Sequence, residues 1–170
     1  MNILENDKIK LRALEPEDAE LLYIWENDTD VWQAGETLIP FSRHTLLQYV
    51  ANASPDIFEA KQLRLMIDSK EKEIPVTIGT IDLFDFNPYH RRAGIGILIY
   101  NPQNRHKGYA SEALQLLTRY AFEILHLHQL FCGVATGNET SIKLFQKSGF
   151  EITGLKKDWL YMKDKWEDEY

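Results

Sequence analysis

Between residues 93 and 135 the hydrophobic pattern changes period twice, and no other stretch constrains the fold as much. Ala93–Tyr100 reads as a strand, with Ile95, Ile97 and Ile99 on one face and Gly94, Gly96 and Leu98 on the other. Ala110, Ala113, Leu114, Leu117, Ala121 and Ile124 then recur at helical spacing and form one apolar face. Leu130–Ala135 returns to a continuous apolar run of strand length. Two strands joined through a helix are predicted to lie parallel, since a tight turn links only antiparallel neighbours.

The segments around this crossover read differently. Lys8–Arg12 alternates as a first strand, and Glu15-Pro16-Glu17-Asp18 opens a helix with face residues Ala19, Leu22, Tyr23 and Trp25. Asn27-Asp28-Thr29-Asp30 is expected to end it. Ser42 is expected to cap a second helix through Leu46, Leu47 and Val50 that stops before Pro55. Leu63–Ile67 alternates, Lys70–Glu73 is a solvated turn, and Val76–Phe86 is a long strand with a phase slip near Thr80-Ile81. Asn87-Pro88-Tyr89-His90 forms a turn into Ala93–Tyr100, giving an antiparallel hairpin. Asn138 caps a short helix carrying Ile142, Leu144 and Phe145, Gly149 ends it, and a strand starts at Phe150. The order is β-α-α-β-β-β-α-β-α-β: α/β (α+β), a mixed and mainly antiparallel sheet with one parallel pair, flanked by helices. No repeat or linker interrupts residues 1–170, so one domain is expected.

Charge and cysteine content narrow the function classes. The net charge of −7 disfavours a nucleic-acid partner and suits cationic ligands such as amines. The single cysteine, Cys132, excludes an internal disulfide and reads as a buried small hydrophobe. No basic-then-apolar leader and no bilayer-length apolar run appear, so a cytoplasmic, non-membrane protein is expected. The five histidines never pair at metal-ligand spacing, so no metal site is expected; His126 and His128 mark a helix end. Trp25 and Trp32 flank an acidic stretch and read as core or rim packing, with an amine pocket as the alternative.

Arg105-His106-Lys107-Gly108 leads into the crossover helix, whose start exposes unpaired N–H groups and a positive dipole end. A glycine and three basic residues there fit a phosphate or pyrophosphate, though the spacing alone equally fits a solvated basic turn. The P-loop and dinucleotide-binding glycine patterns are absent.

Arg105-His106-Lys107-Gly108-Tyr109-Ala110 resembles the [R/Q]-x-x-G-x-[G/A] signature of the GNAT superfamily of N-acetyltransferases. Asn138-Glu139-Thr140-Ser141 and Leu144–Phe150 resemble a later motif of that family. Ile9–Leu14 and Trp25–Asp28 are similar to the entry of its ribosomal-protein and spermidine acetyltransferase branch, and Asn87–Ala93 to the spermidine enzymes in particular. Trp166–Tyr170 resembles the beginning of the family's last strand.

The resemblance implies a GNAT fold and transfer of an acetyl group from acetyl-CoA to a primary amine, such as spermidine or another polyamine, or to a protein N-terminus. Coenzyme A would lie between Ala93–Tyr100 and Leu130–Ala135 as these strands splay. Backbone groups of Ile97, Leu98 and Ile99 would pair with pantetheine, and an N–H near Leu98 would polarise the thioester carbonyl. Arg105, His106, Lys107, Gly108, Tyr109 and Ala110 would hold the pyrophosphate. Asn138 and Ser141 would face the pantetheine, and Asn138 equally reads as a helix cap. The expected tyrosine acid is replaced by Phe145 and the expected glutamate by Gly94. Ser141 is therefore the catalytic candidate, as a donor near the sulfur, with Tyr100 and Tyr109 as other donors. Asp82, Asp85, His90 and Glu26 are the candidate bases, acting through water. These departures also support a rival reading, a non-catalytic coenzyme A-binding or regulatory module. Homo-oligomeric assembly is compatible with either.

Overall fold

The computed structural model describes residues 2–35, 37–53 and 56–170; Pro55 lies outside them. A five-stranded sheet in the order β1-β2-β3-β4-β5 is built from Ile9–Arg12, Leu63–Ser69, Val76–Asn87, Arg92–Ile99 and Gln129–Phe131. Every neighbouring pair is antiparallel except β4 and β5. The lone parallel pair follows from the crossover, whose helix α5 (Tyr109–Glu123) has the predicted apolar stripe. Ala113, Leu114, Leu117 and Ala121 are fully buried against the sheet face carrying Ile67, Ile81, Leu83 and Ile95. The buried stripe also takes in Leu116, whereas Ile124, past the helix end, is half exposed.

The opposite face of the sheet packs a second core. Met66 is buried there with Ala19, Leu22 and Trp25 of α1 (Asp18–Glu26) and Leu46 and Val50 of α3 (Arg43–Ala51). Ser42 caps α3 by accepting from the Thr45 N–H at 3.0 Å, while Leu47 points to solvent because it lies off the Leu46–Val50 stripe. Arg12 fixes α1 over the sheet: its guanidinium donates to Asp18 at 2.6 Å and to Asp68 at 2.7 Å.

Two short helices were not anticipated. Asn27 does end α1, but Asp28 accepts from the Asp30 N–H at 3.0 Å and so starts α2 (Thr29–Gly35) at once. The residues that stop one helix begin the next. Asp56 similarly accepts from Phe58 N–H at 2.8 Å to start the single turn α4 (Ile57–Ala60). The expected phase slip is present but earlier: Ile67 faces Gly79 and Asp68 faces Thr77, leaving Ile78 as the extra residue of a bulge.

The largest departure lies in the last third. β5 pairs with β4 only as far as Gly94–Phe131. Beyond that, the segment expected as strand to Ala135 leaves β4 and turns to the C-terminus, with Val134 and Tyr170 exchanging backbone bonds of 3.0 and 2.9 Å. Following α6 (Glu139–Lys147), the strand expected from Phe150 begins at Lys156: β6 (Lys156–Met162) and β7 (Lys165–Glu169) form a hairpin. Lys163 and Asp164 turn it, with φ of 49° and 63°, the positive pair that a two-residue hairpin turn uses.

Candidate active site

The separation of β5 from β4 after Gly94 leaves one edge of β4 unpaired. Backbone groups alternate sides along a strand. The Tyr100 N–H donates to Ile78 of β3 at 3.1 Å, and the Leu98 carbonyl abuts Gly79 of β3. Leu98 therefore turns its backbone to β3, and Ile95, Ile97 and Ile99 present theirs to the open edge. Of these, Ile99 has its carbonyl occupied by Arg105 Nε at 3.1 Å. Ile97, beyond the last β4–β5 pair, has an N–H and a carbonyl without a partner among the described residues, both turned to the open edge.

The face carrying Gly94 and Gly96 is not empty. A Cβ at Gly94 would overlap the Phe84 ring, and one at Gly96 would touch it at 3.7 Å. Phe84 sits directly across from Gly94 on β3 and meets Phe131 edge-on at 6.1 Å between ring centres. The missing side chain at 94 thus makes room for an aromatic ring of the protein itself.

At the end of β4, Pro102–Asn104 forms a single 3-10 turn capped by Asn101, whose side chain accepts from Gln103 N–H at 2.9 Å. Arg105 closes this turn. Its N–H donates to Pro102 at 3.1 Å and its guanidinium to the Ile99 and Tyr100 carbonyls, each at 3.1 Å. Arg105 thus braces the loop. His106 and Gly108 follow with φ of 60° and 85°, and α5 begins. Its first bond runs from the Glu112 N–H to Gly108 at 3.1 Å. The N–H groups of Gly108, Tyr109, Ala110 and Ser111 have no acceptor among the described residues, so four donors gather at the positive end of a 15-residue helix. Lys8, which sequence reasoning missed, adds a cation by donating to the Lys107 carbonyl. Only Tyr109's backbone belongs to this cradle; its ring is buried, with the hydroxyl accepting from Ser69 at 3.1 Å.

Below the open edge lies a cleft of about 660 Å³ between β4, residues 132–138, the start of α6 and the β6–β7 hairpin. Ile97, Asn138 and Ser141 all line it. Asn138 Oδ1 accepts from Ser141 N–H at 3.1 Å, so the cap reading of Asn138 holds while its amide NH₂ has no partner among the described residues. The Ser141 hydroxyl has no partner among the described residues. Phe145, one turn further along α6, is buried and packs edge-on against Phe150 at 5.1 Å. Cys132 also borders the cleft and is half-buried; burial and the Glu169 carboxylate push its thiol up to about 11. At neutral pH it is an inert thiol.

The hairpin supplies the other wall through Leu160, Met162, Lys165, Glu167 and Glu169. These residues were missed, although Tyr161-Met162-Lys163-Asp164-Lys165-Trp166 carries a legible strand-turn-strand pattern. The candidate bases stand elsewhere. Glu26 and Asp82 are tied to Arg64 at 2.7 and 2.6 Å, and burial raises Asp82 even against the pull of that guanidinium. Asp85 is exposed, and His90 is exposed in the hairpin turn against Tyr89. Tyr100 stacks on Trp25 at 5.4 Å; the Asp28 carboxylate, with burial and Asp30, lifts its hydroxyl above the ordinary value. Trp25 is a core residue, and Trp32 donates to the Glu26 carbonyl at 2.7 Å. Among the described residues no group of His, Cys, Asp and Glu is arranged to hold a metal ion, and no helix is long and apolar enough to cross a membrane.

Residues 8–151 match the acetyltransferase (GNAT) domain family. Spermidine N(1)-acetyltransferase of Vibrio cholerae is 25% identical over 163 residues, spanning 96% of this chain and 90% of the relative. N-acetyltransferase p20 of Bacillus licheniformis is 31% identical over 176 residues, spanning 100% of this chain and 94% of the relative. The crystal structure of the Vibrio cholerae spermidine N-acetyltransferase with CoA and spermine superposes with a TM-score of 0.84 at 24% identity, covering 96% of this chain and 93% of that one. At that identity the superposition speaks for the fold, and it agrees with the splayed strand pair and mixed sheet described above. The chain belongs to the GNAT acetyltransferase family, whose reaction moves an acetyl group from acetyl-CoA to an amine.

Proposed function

We propose that this protein N-acetylates a polyamine such as spermidine, as one catalytic unit over residues 1–170 working in the cytoplasm. The observation that carries the substrate class is similarity to spermidine N(1)-acetyltransferases over most of the chain. It reaches 96% of the chain for the Vibrio cholerae enzyme and 86% for the Escherichia coli one. The electrostatics agree with it. The net charge is −7, and Arg64 balances only one of the two carboxylates bound to it. A polycation is drawn to such a surface, and a neutral amine is not.

In this reading acetyl-CoA lies along the open edge of β4, with Ile97 pairing to the pantetheine amides. The thioester carbonyl accepts from a backbone N–H at that edge, where negative charge develops during attack. Gly108–Ser111 and Lys8 hold the pyrophosphate, and Asn138 and Ser141 face the pantetheine from α6. Ser141 donates a hydrogen bond to the departing sulfur and contributes modestly. The exposed outer face of the hairpin, with Trp159, Tyr161 and Trp166 each more than half exposed, suits self-association. Acetyl-CoA with an amine panel, followed by free-thiol release, tests the substrate class. Spermidine should exceed a monoamine of equal length by about tenfold in kcat/KM, one extra ion pair's worth of discrimination. Preference for an N-terminal peptide would overturn the polyamine reading.

A further inference from the structure

An amine reaches the enzyme as an ammonium ion and must lose a proton before it can attack. Position 94 is a glycine with no side chain to act as base, and Phe84 fills the space beside it. Glu26 and Asp82 are held by Arg64. Within the cleft, Glu169 is ion-paired to Lys156 at 2.6 Å. Glu167 differs from all of these. It is half-buried, lines the same cleft as Ile97, Asn138 and Ser141, and has no hydrogen-bond or ion-pair partner among the described residues.

The chain also makes room for it. Glu167 lies beside Gly137, and a Cβ at Gly137 would overlap the Glu167 carboxylate. Gly137 does not have a left-handed backbone; the glycines with positive φ are Gly108 and Gly149 among the described residues. The backbone conformation would accept any residue, and a side chain there would push the flexible Glu167 carboxylate aside. Gly137 immediately precedes Asn138, the cap of α6. The carboxylate is thereby seated at the start of α6, near the candidate cofactor contacts. Glu169, Lys163, Lys165 and Cys132 are the other ionisable groups lining the cleft.

We propose that Glu167 receives the substrate's ammonium group and takes its proton, a role that rests on the acetyltransfer reading above. One N–H bond of the ammonium breaks and its proton passes to the Glu167 carboxylate. The nitrogen lone pair forms the C–N bond to the thioester carbonyl carbon. The C–S bond then breaks with its electron pair on sulfur. The thiolate takes a second proton from the nitrogen, and Glu167 returns its own to water.

The test is Glu167→Gln and, separately, Gly137→Ala in the full chain, with kcat and KM for spermidine measured across neutral to alkaline pH and CoA affinity by calorimetry. Glu167→Gln should lower kcat about 100-fold at neutral pH, the low end for a general base. The deficit should shrink as pH rises and free amine becomes abundant, with CoA affinity within about twofold of wild type. Gly137→Ala should show the same pH-dependent deficit in smaller measure, because the methyl group displaces the carboxylate. A Glu167→Gln kcat within about threefold of wild type, or a deficit unchanged across pH, overturns the role. Failure of the wild-type protein to acetylate any amine would instead sink the acetyltransfer reading itself.

Discussion

The two ends of the candidate site are built in opposite ways. The candidate pyrophosphate cradle at the start of α5 is built mainly from contiguous backbone N–H groups, so its chemistry depends on chain direction and one left-handed glycine. The reacting end draws on β4, the start of α6 and a hairpin near residue 165, and it depends on side chains that meet only in the fold. A backbone site tolerates sequence drift, because most substitutions keep the N–H. A side-chain site does not, and here Gly94 and Phe145 replace the family's expected glutamate and tyrosine. A site built from backbone groups therefore keeps its chemistry through substitutions that a site built from side chains does not survive.

Restoring the glutamate is the strongest challenge to that comparison. Gly94→Glu should destabilise the protein by about 3 kcal/mol in urea unfolding, because the new side chain meets the Phe84 ring. Adding Phe84→Ala should recover part of the loss, as expected of two residues that share one space. A Gly94→Glu protein as stable as wild type would show that the position is open.

The cradle should respond to backbone change. Gly108→Ala places a side chain at a φ of 85°, although a Cβ there would touch only Lys8 Nζ at 3.4 Å. The cost is conformational, about 1–2 kcal/mol, and should weaken CoA binding about tenfold in calorimetry. Lys8→Met removes a half-buried cation and should weaken CoA by about threefold at low salt, with the difference shrinking as ionic strength rises. An effect of Lys8→Met that ignored salt would remove Lys8 from the cradle.

Cys132 gives the smallest effect. With its thiol pushed up to about 11, it should be alkylated slowly near neutral pH and faster as pH rises towards that value. Cys132→Ala should leave turnover nearly unchanged. Rapid alkylation at neutral pH would show a thiolate that the cleft does not support.

Much of the fold was legible because period-2 and period-3.6 patterns were strong from Leu63 to Ala121. The glycine-led start of α5 was legible because Arg105–Ala110 is contiguous, whereas the use of Arg105 to brace the loop was not. Other features required three dimensions. Lys8 reaches the cradle from 99 positions away. The alternation that turns Leu98 towards β3 is fixed by pairing rather than by residue type. Phe84 and Gly94 look unrelated until β3 and β4 are set in register. The short helices α2 and α4 hid behind residues that both stop and cap. The parting of β5 from β4 left no mark on its apolar run, since that run is equally suited to pairing with β7.

Acetyl-CoA carrying ¹³C at the acetyl carbonyl, mixed with spermidine and followed by NMR, reports acetyl transfer to the amine itself. The label should pass from thioester to amide with one free thiol released per amide formed. Label that stays in the thioester while coenzyme A binds, or that appears only as acetate, would contradict that transfer.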